Sequence, residues 1–238
     1  MIIHPAATVL TIREQAEEGI QVLLLKRNSK LKFAPDFWVF PGGRIDPEDG
    51  ALDSEALPKT AKNAAVREAW EEAGIRLASD QLSQYCHWTT PAGGTRRFST
   101  WFFYSKIDAK GGDINIDNSE ITDYRWIRPS DALIAPDQYP LLPPTLITLH
   151  RIKQAQSYAD VRSEFQRTGI LSVAPVTIDK DGLFYCLYDG DSGYKSADIT
   201  LTQSLHRLII DHKKGAYHFE YENCDSPPVN GGVDLHCD

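Results

Sequence analysis

No apolar run in this 238-residue chain approaches the roughly 20 residues that a membrane-crossing helix needs. The longest, such as residues 20–25, are the size of a strand. The opening residues carry no basic stretch followed by an apolar one, so a secretory leader is not expected. Basic residues are too few to outweigh the acidic ones: 25 Lys and Arg stand against 33 Asp and Glu, a net charge of −8. That balance argues against a general nucleic-acid or membrane-surface binder, and leaves phosphate chemistry open only where a metal ion supplies local positive charge. Cysteine is sparse as well. Cys86, Cys186, Cys224 and Cys237 fit no zinc spacing and no disulfide-stapled scaffold, which points to free thiols in a reducing cytoplasm. The pair His236–Cys237 reads as part of a polar terminus rather than as a metal site. No internal repeat is visible. An ordinary content of apolar and charged residues excludes a disordered, collagen-like or coiled-coil chain. A chain of this length buries roughly 70–75% of its unfolded surface and needs no staples.

What is present reads as alternating strands and helices. Residues 8–13 and 20–27 are rich in Val, Ile and Leu and predict two strands joined by Glu17-Glu18-Gly19. Residues 37–40 lead into the turn Pro41-Gly42-Gly43, and residues 44–59 read as an exposed polar loop. Ala61, Ala65, Ala69 and Ala73 recur every four residues and predict a close-packing helix over 60–73, with Thr60 as its N-cap and Gly74 ending it. Strands are expected over 85–89, 98–107 and 121–127, and a helix over 143–155. Farther on, the pattern predicts a helix over 158–167, strands over 170–178 and 183–188, a helix over 202–211 and a last strand over 216–221. The polar tail 225–238 is expected to be mobile unless it docks. This order implies an α/β fold layered around a mixed sheet.

The segment richest in chemistry is Arg67-Glu68-Ala69-Trp70-Glu71-Glu72-Ala73-Gly74-Ile75. On a helix, Glu68, Glu71 and Glu72 stand at i, i+3 and i+4 and share one face. Like charges so placed destabilise a helix by roughly 0.2–0.5 kcal/mol per pair. Arg67 can offset part of that repulsion, and a divalent cation can offset the rest. Oxygen-only ligands favour Mg²⁺ or Mn²⁺. A solvated acidic face would carry the same letters. The Gly-Gly turn ahead of the helix favours the metal reading, since glycine lets backbone approach a ligand closely.

With Gly43 the segment resembles the box of the Nudix hydrolases, G-x5-E-x7-R-E-U-x-E-E-x-G-U with U apolar. The second half matches, taking Ala69 as the first U. The first half departs: Asp49 stands where the box has its first Glu, and 17 residues rather than seven separate it from Arg67. Asp49 or Glu48 is the expected stand-in. An inserted box also occurs in a branch that includes peroxisomal coenzyme A diphosphatases, which this chain resembles at Trp88-Thr89-Thr90-Pro91, at residues 96–103, at residues 120–126 and at residues 142–146.

The resemblance, which covers residues 8–152, implies a Nudix-type α/β/α sandwich with a mixed central sheet. It implies Glu68, Glu71, Glu72, Glu120 and the Gly42 carbonyl as ligands of Mg²⁺ or Mn²⁺. Glu71 is left open as a ligand or as the base that orients water, Glu120 as a fourth ligand or the base, and Arg67 is expected to orient the glutamates. Arg96 and Arg97 are candidates to hold a substrate phosphate, because a guanidinium fork matches it. Residues 1–155 are read as the hydrolase domain, and residues 156–238 as an extension that packs on it or completes it. The implied activity is metal-dependent cleavage of a nucleoside diphosphate linked to another group, with coenzyme A or an acyl-CoA first. A nucleotide sugar or dinucleotide, or a catalytically silent binding module, are the alternatives. The expected partner is a small nucleotide substrate, without nucleic acid or membrane. The oligomeric state is left open, with a homodimer admitted.

Overall fold

The computed structural model describes residues 2–93, 96–108, 113–232 and 236–237. Strands β1 (Ile3–Gln15), β2 (Gly19–Arg27), β3 (Trp38–Val39), β4 (Gly42–Arg44), β5 (Ser83–Thr89), β6 (Arg97–Lys106), β7 (Ile121–Ile127) and β8 (Leu171–Val173) form one sheet. Strands β9 (Val176–Lys180), β10 (Leu183–Leu187), β11 (Leu205–Asp211), β12 (Ala216–Glu222) and β13 (His236–Cys237) form a second, antiparallel one. The helices are α1 (Leu57–Ala73), α2 (Pro129–Leu133), α3 (Pro143–Arg151) and α4 (Tyr158–Thr168). Among the described residues no helix is long and apolar enough to cross a membrane.

The first sheet is mixed. β1 runs parallel to β6 from Ile3↔Arg97 to Ile12↔Lys106, and antiparallel to β2. Period-two alternation splits its side chains between two cores. Val9, Leu23, Leu25 and Phe103 face α1, where Ala61, Ala65, Ala69 and Ala73 are fully buried. Leu10, Ile12, Val22, Leu24 and Tyr104 face the other way, against Leu146 and Leu149 of α3 and Val161 and Phe165 of α4. The expected α/β/α layering around a mixed sheet is therefore present. Cys186, Leu208, Ile210 and Phe219 of the second sheet join this second core. Each large apolar side chain buried in this way contributes about 1.5–3 kcal/mol.

Several expectations are corrected. Helix α1 begins at Leu57, not at Thr60. Pro58 suits a first turn, and Asp53 Oδ1 accepts from the backbone N–H groups of Glu55 and Ala56. Thr60 lies inside the helix and its hydroxyl donates to the Ala51 carbonyl at 2.8 Å. The other end is as expected. Gly74 has φ 70°, its N–H donates to the Trp70 carbonyl, and the Ile75 N–H donates to that of Ala69, which is a Schellman ending. Helix α3 stops at Arg151, short of residue 155. The strand expected over 170–178 is two strands, because Ala174-Pro175 interrupts it. β8 pairs with β5 in the first sheet, and β9 pairs with β10 in the second. Residues 202–211 are not a helix. β11 occupies most of them, between β10 and β12, and Leu208-Ile209-Ile210 suits a strand buried on both faces.

The tail docks at least as far as Asn230: Val229 and Asn230 are buried, and the Val229 N–H donates to His206 Nε2 at 3.2 Å. The loop over 44–59 is largely exposed, as expected, but a 3₁₀ turn over Pro47–Asp49 buries Asp49, and α1 takes its last residues from Leu57 on. Cys86, Cys186 and Cys224 are free thiols.

Candidate active site

The site is built where α1 passes under the strand that the Gly-Gly turn feeds. β4 pairs with β1, opposing Gly42 to Thr8 and Gly43 to Ala7. A Cβ on Gly42 would stand 2.5 Å from the Ala7 carbonyl oxygen, and one on Gly43 would stand 2.4 Å from Glu68 Oε1. Both positions thus require glycine, the first for strand pairing and the second to admit a carboxylate. The Gly42 N–H donates to Glu72 Oε2 at 2.9 Å.

Arg67 uses all five of its N–H groups, four of them to organise the acids around it. It forks onto Asp49, Nε to Oδ1 and Nη2 to Oδ2, both at 2.9 Å. Nη1 donates to Glu68 Oε1 and to Glu71 Oε2, again at 2.9 Å, and Nη2 also donates to the Arg44 carbonyl. Of the two candidates for the place of the first box Glu, Asp49 is the one that meets Arg67, and Glu48 is exposed. Burial pushes the Asp49 carboxyl up, but the Arg67 fork and the Asp46 N–H together hold it below its usual range. The ten extra residues between Asp49 and Arg67 leave this contact in place, because residues 50–55 are exposed and the rest of the spacing is taken up by the first turns of α1.

The three helix carboxylates differ in environment. Glu71 is exposed, Glu68 half-buried and Glu72 buried. Burial raises Glu68 despite the neighbouring Arg67. Glu72 is pushed up to about 8, first by burial and further by the charges of Glu68 and Glu120, against the pull of the Gly42 N–H and Arg27. Among the described residues, no three His, Cys, Asp or Glu side chains are drawn together at metal-binding distance; Arg67 bridges the acids instead. The donor set nevertheless fits a hard dication. It is all oxygen, and its buried member is destabilised as a carboxylate by burial and by two like-charged neighbours, which a cation would relieve.

Glu68, Glu71, Glu72, Glu120, Gly42 and Arg67 all line one cleft of about 1160 Å³. Arg96 lines it too and is exposed. Arg97 does not. Alternation along β6 puts Arg97, Ser99, Trp101 and Phe103 on one face, and that face is turned toward α1. Arg97 Nε donates to the Thr90 carbonyl at 3.1 Å, and Trp101 and Phe103 pack with the helix. Phe98, Thr100 and Phe102 take the cleft face, joined by Phe33, Phe37 and Trp88. The second sheet supplies a wall that the sequence did not reveal, including Phe184, Cys186 and Ile210. Alternation marks these as one face of their strands, but no local signal says what that face meets.

The two glycines make separable predictions. Gly43→Ala meets only the end of the Glu68 side chain, which can swing away, so it should lower turnover at least about tenfold while shifting the melting temperature little. Gly42→Ala meets backbone and should destabilise by about 1–3 kcal/mol. Paired kinetics and thermal melts check this. Equal melting losses for the two variants would contradict it.

Comparison with known proteins gives the family and the fold. The family model described as NUDIX domain matches residues 2–145. The chain is 29% identical over 257 residues to putative nudix hydrolase 7 of Caenorhabditis elegans, covering 91% of this chain and 84% of that one. It is 24% identical over 205 residues to the acyl-coenzyme A diphosphatase NUDT19 of Xenopus laevis, covering 48% and 54%, so it spans about half of that relative. The crystal structure of a NUDIX hydrolase from Alicyclobacillus acidocaldarius superposes with a TM-score of 0.60 at 23% identity, covering 68% of this chain and 96% of that one, a likeness of fold.

Proposed function

This chain belongs to the NUDIX domain family and is a hydrolase acting on diphosphate bonds, and from that premise we propose that it cleaves the diphosphate of a nucleoside diphosphate linked to a second group, with coenzyme A or an acyl-CoA as the preferred substrate. The observation that carries the reading is the Arg67-centred acidic cluster set beneath the Gly42–Gly43 turn in a cleft that also holds Arg96. Glu68 and Glu72 would hold a divalent cation, with Glu71, Glu120 and the Gly42 carbonyl as further ligands. A Mg²⁺ or Mn²⁺ held by these residues would polarise a phosphoryl oxygen and acidify the attacking water. The chain's own groups do the rest. Arg67 fixes the Glu68 and Glu71 carboxylates, so they need no reordering as substrate arrives. Glu71 and Glu120, both exposed on the cleft, are the groups open to take the proton of the attacking water. The water oxygen bonds to one phosphorus, the bridging P–O bond breaks, and the second phosphate departs with the bridging oxygen.

The coenzyme A reading draws on the likeness to the acyl-coenzyme A diphosphatase of Xenopus laevis and on Arg96. That side chain is free to meet a phosphate outside the diphosphate, such as the 3′-phosphate of coenzyme A. With Mg²⁺ present, coenzyme A should yield 3′,5′-ADP and 4′-phosphopantetheine. Dephospho-CoA should lose roughly 10- to 150-fold in kcat/KM, the value of one charge-assisted contact. The test compares coenzyme A, dephospho-CoA, ADP-ribose and a nucleotide sugar. A preference for ADP-ribose or the sugar discards coenzyme A and keeps the diphosphatase. No metal-dependent turnover on any of them would favour a silent binding module.

A further inference from the structure

The cleft has two ends of opposite chemistry. At one end are the carboxylates of α1, with Arg27 and Arg44 beside them; Arg96 lines the cleft from the turn between β5 and β6. The opposite wall belongs to the second sheet and lies beyond the stretch that matches the family model. Its centre is Phe184 of β10, which stands directly opposite Ile210 on one neighbouring strand and Asp179 on the other. Cys186 follows Phe184 on the same face and lies opposite Thr177. Burial pushes the Cys186 thiol up to about 12, so it is an uncharged wall group. Asp179 stands on this wall and would repel a phosphate, and the His212 ring packs against Phe184.

We infer that the Phe184–Ile210 face of the second sheet binds an uncharged, apolar-ended arm carried on the substrate's second phosphate, and so sets which diphosphates are cleaved. The inference rests on the diphosphatase reading and adds to it which end of the cleft each end of the substrate occupies. The metal ligands place the phosphates at the α1 end, and the wall across the cleft presents no lysine or arginine to them. One continuous cavity joins the two, so a single molecule can reach both. Phe184 is only half-buried, which leaves apolar surface to be covered by such an arm.

The test uses two synthetic diphosphates, the methyl and n-octyl esters of ADP, with Mg²⁺, in the full-length protein. A methylene in an apolar pocket is worth about tenfold or more in specificity, so the octyl ester should exceed the methyl ester at least tenfold in kcat/KM. Phe184→Asp should bring that ratio close to one, and Phe184→Leu should keep it within about threefold. The ratio is internal to each variant, so it is unaffected by the fraction of folded enzyme. A wild-type ratio near one, or a ratio unchanged by Phe184→Asp, overturns the inference while leaving the diphosphatase reading intact. If neither ester is hydrolysed, and ADP-ribose and coenzyme A are not either, the underlying reading falls and the inference with it.

Discussion

Glu72→Gln is expected to lower kcat at least about a hundredfold, the low end for losing a positioned catalytic group. Glutamine keeps the shape of the side chain, and its carbonyl can still accept from the Gly42 N–H, so the fold should stand. What is lost is one charge, at the buried member of the cluster. The same substitution has a second signature in the metal-free protein. The Glu72 carboxyl is raised from 4.5 to about 8, chiefly by burial. A group raised in the folded state stabilises fully below its unfolded value, and that stability is lost as pH rises through the folded one. In a chelator, wild-type stability should therefore fall from about pH 5 to pH 8, by several kcal/mol at about 1.4 kcal/mol per unit. Glu72→Gln carries no such charge and should melt higher than wild type at pH 8, with the difference vanishing near pH 5. Melts across that range in chelator, with turnover measured in Mg²⁺, check both halves. A variant keeping more than a tenth of wild-type turnover would sink the assignment, and parallel melting curves would remove the buried charge.

Asp191→Ala is expected to be the most destabilising of the substitutions considered. Asp191 accepts from Arg207 Nε at 2.7 Å and Nη2 at 2.8 Å, and from the backbone N–H groups of Gly193 and His206. Its side chain is wholly buried, as is nearly all of Arg207. Arg207 also donates to the carbonyls of Ile199 and Leu201, so the pair ties β11 to the loop over 191–201. Removing the acid leaves a buried guanidinium without its main partner, at a cost of about 3–5 kcal/mol. That is a large part of the 5–15 kcal/mol that holds a domain together, and for a chain of this size it amounts to roughly 6–20 °C in melting temperature. Because β11 also carries Ile210 to the cleft, activity should fall with stability. Adding Arg207→Met should recover part of the loss, since the stranded charge is then gone. A single variant melting within about 2 °C of wild type would show that Glu220, 4.0 Å from Arg207, suffices as partner.

Local chemistry made the acidic helix legible. The four-residue alanine spacing, the Gly74 ending and the i, i+3, i+4 carboxylates are short-range features that hold wherever the helix packs. The resemblance of its box to that of the Nudix hydrolases likewise survived an insertion, because Asp49 needed only to reach Arg67. The first sheet was legible for a similar reason, since its strands are apolar runs bounded by turns. Other features depended on what lies across space. Leu205-His206-Arg207-Leu208 permits a helical spacing, and only pairing with β10 and β12 makes it a strand. Parity along β6 put Arg97 with Trp101 and Phe103, but which face meets the cleft was decided by α1 filling the other side. The wall of Phe184 and Ile210 had no local mark at all. It arises because the chain leaves one sheet at Ala174-Pro175 and enters a second whose face closes the cleft. The sequence by itself determined the acidic cluster and the strands beneath it, because both follow from neighbours within a few residues. Only the tertiary structure decided what surrounds the substrate, because a cleft is defined by surfaces more than a hundred residues apart along the chain.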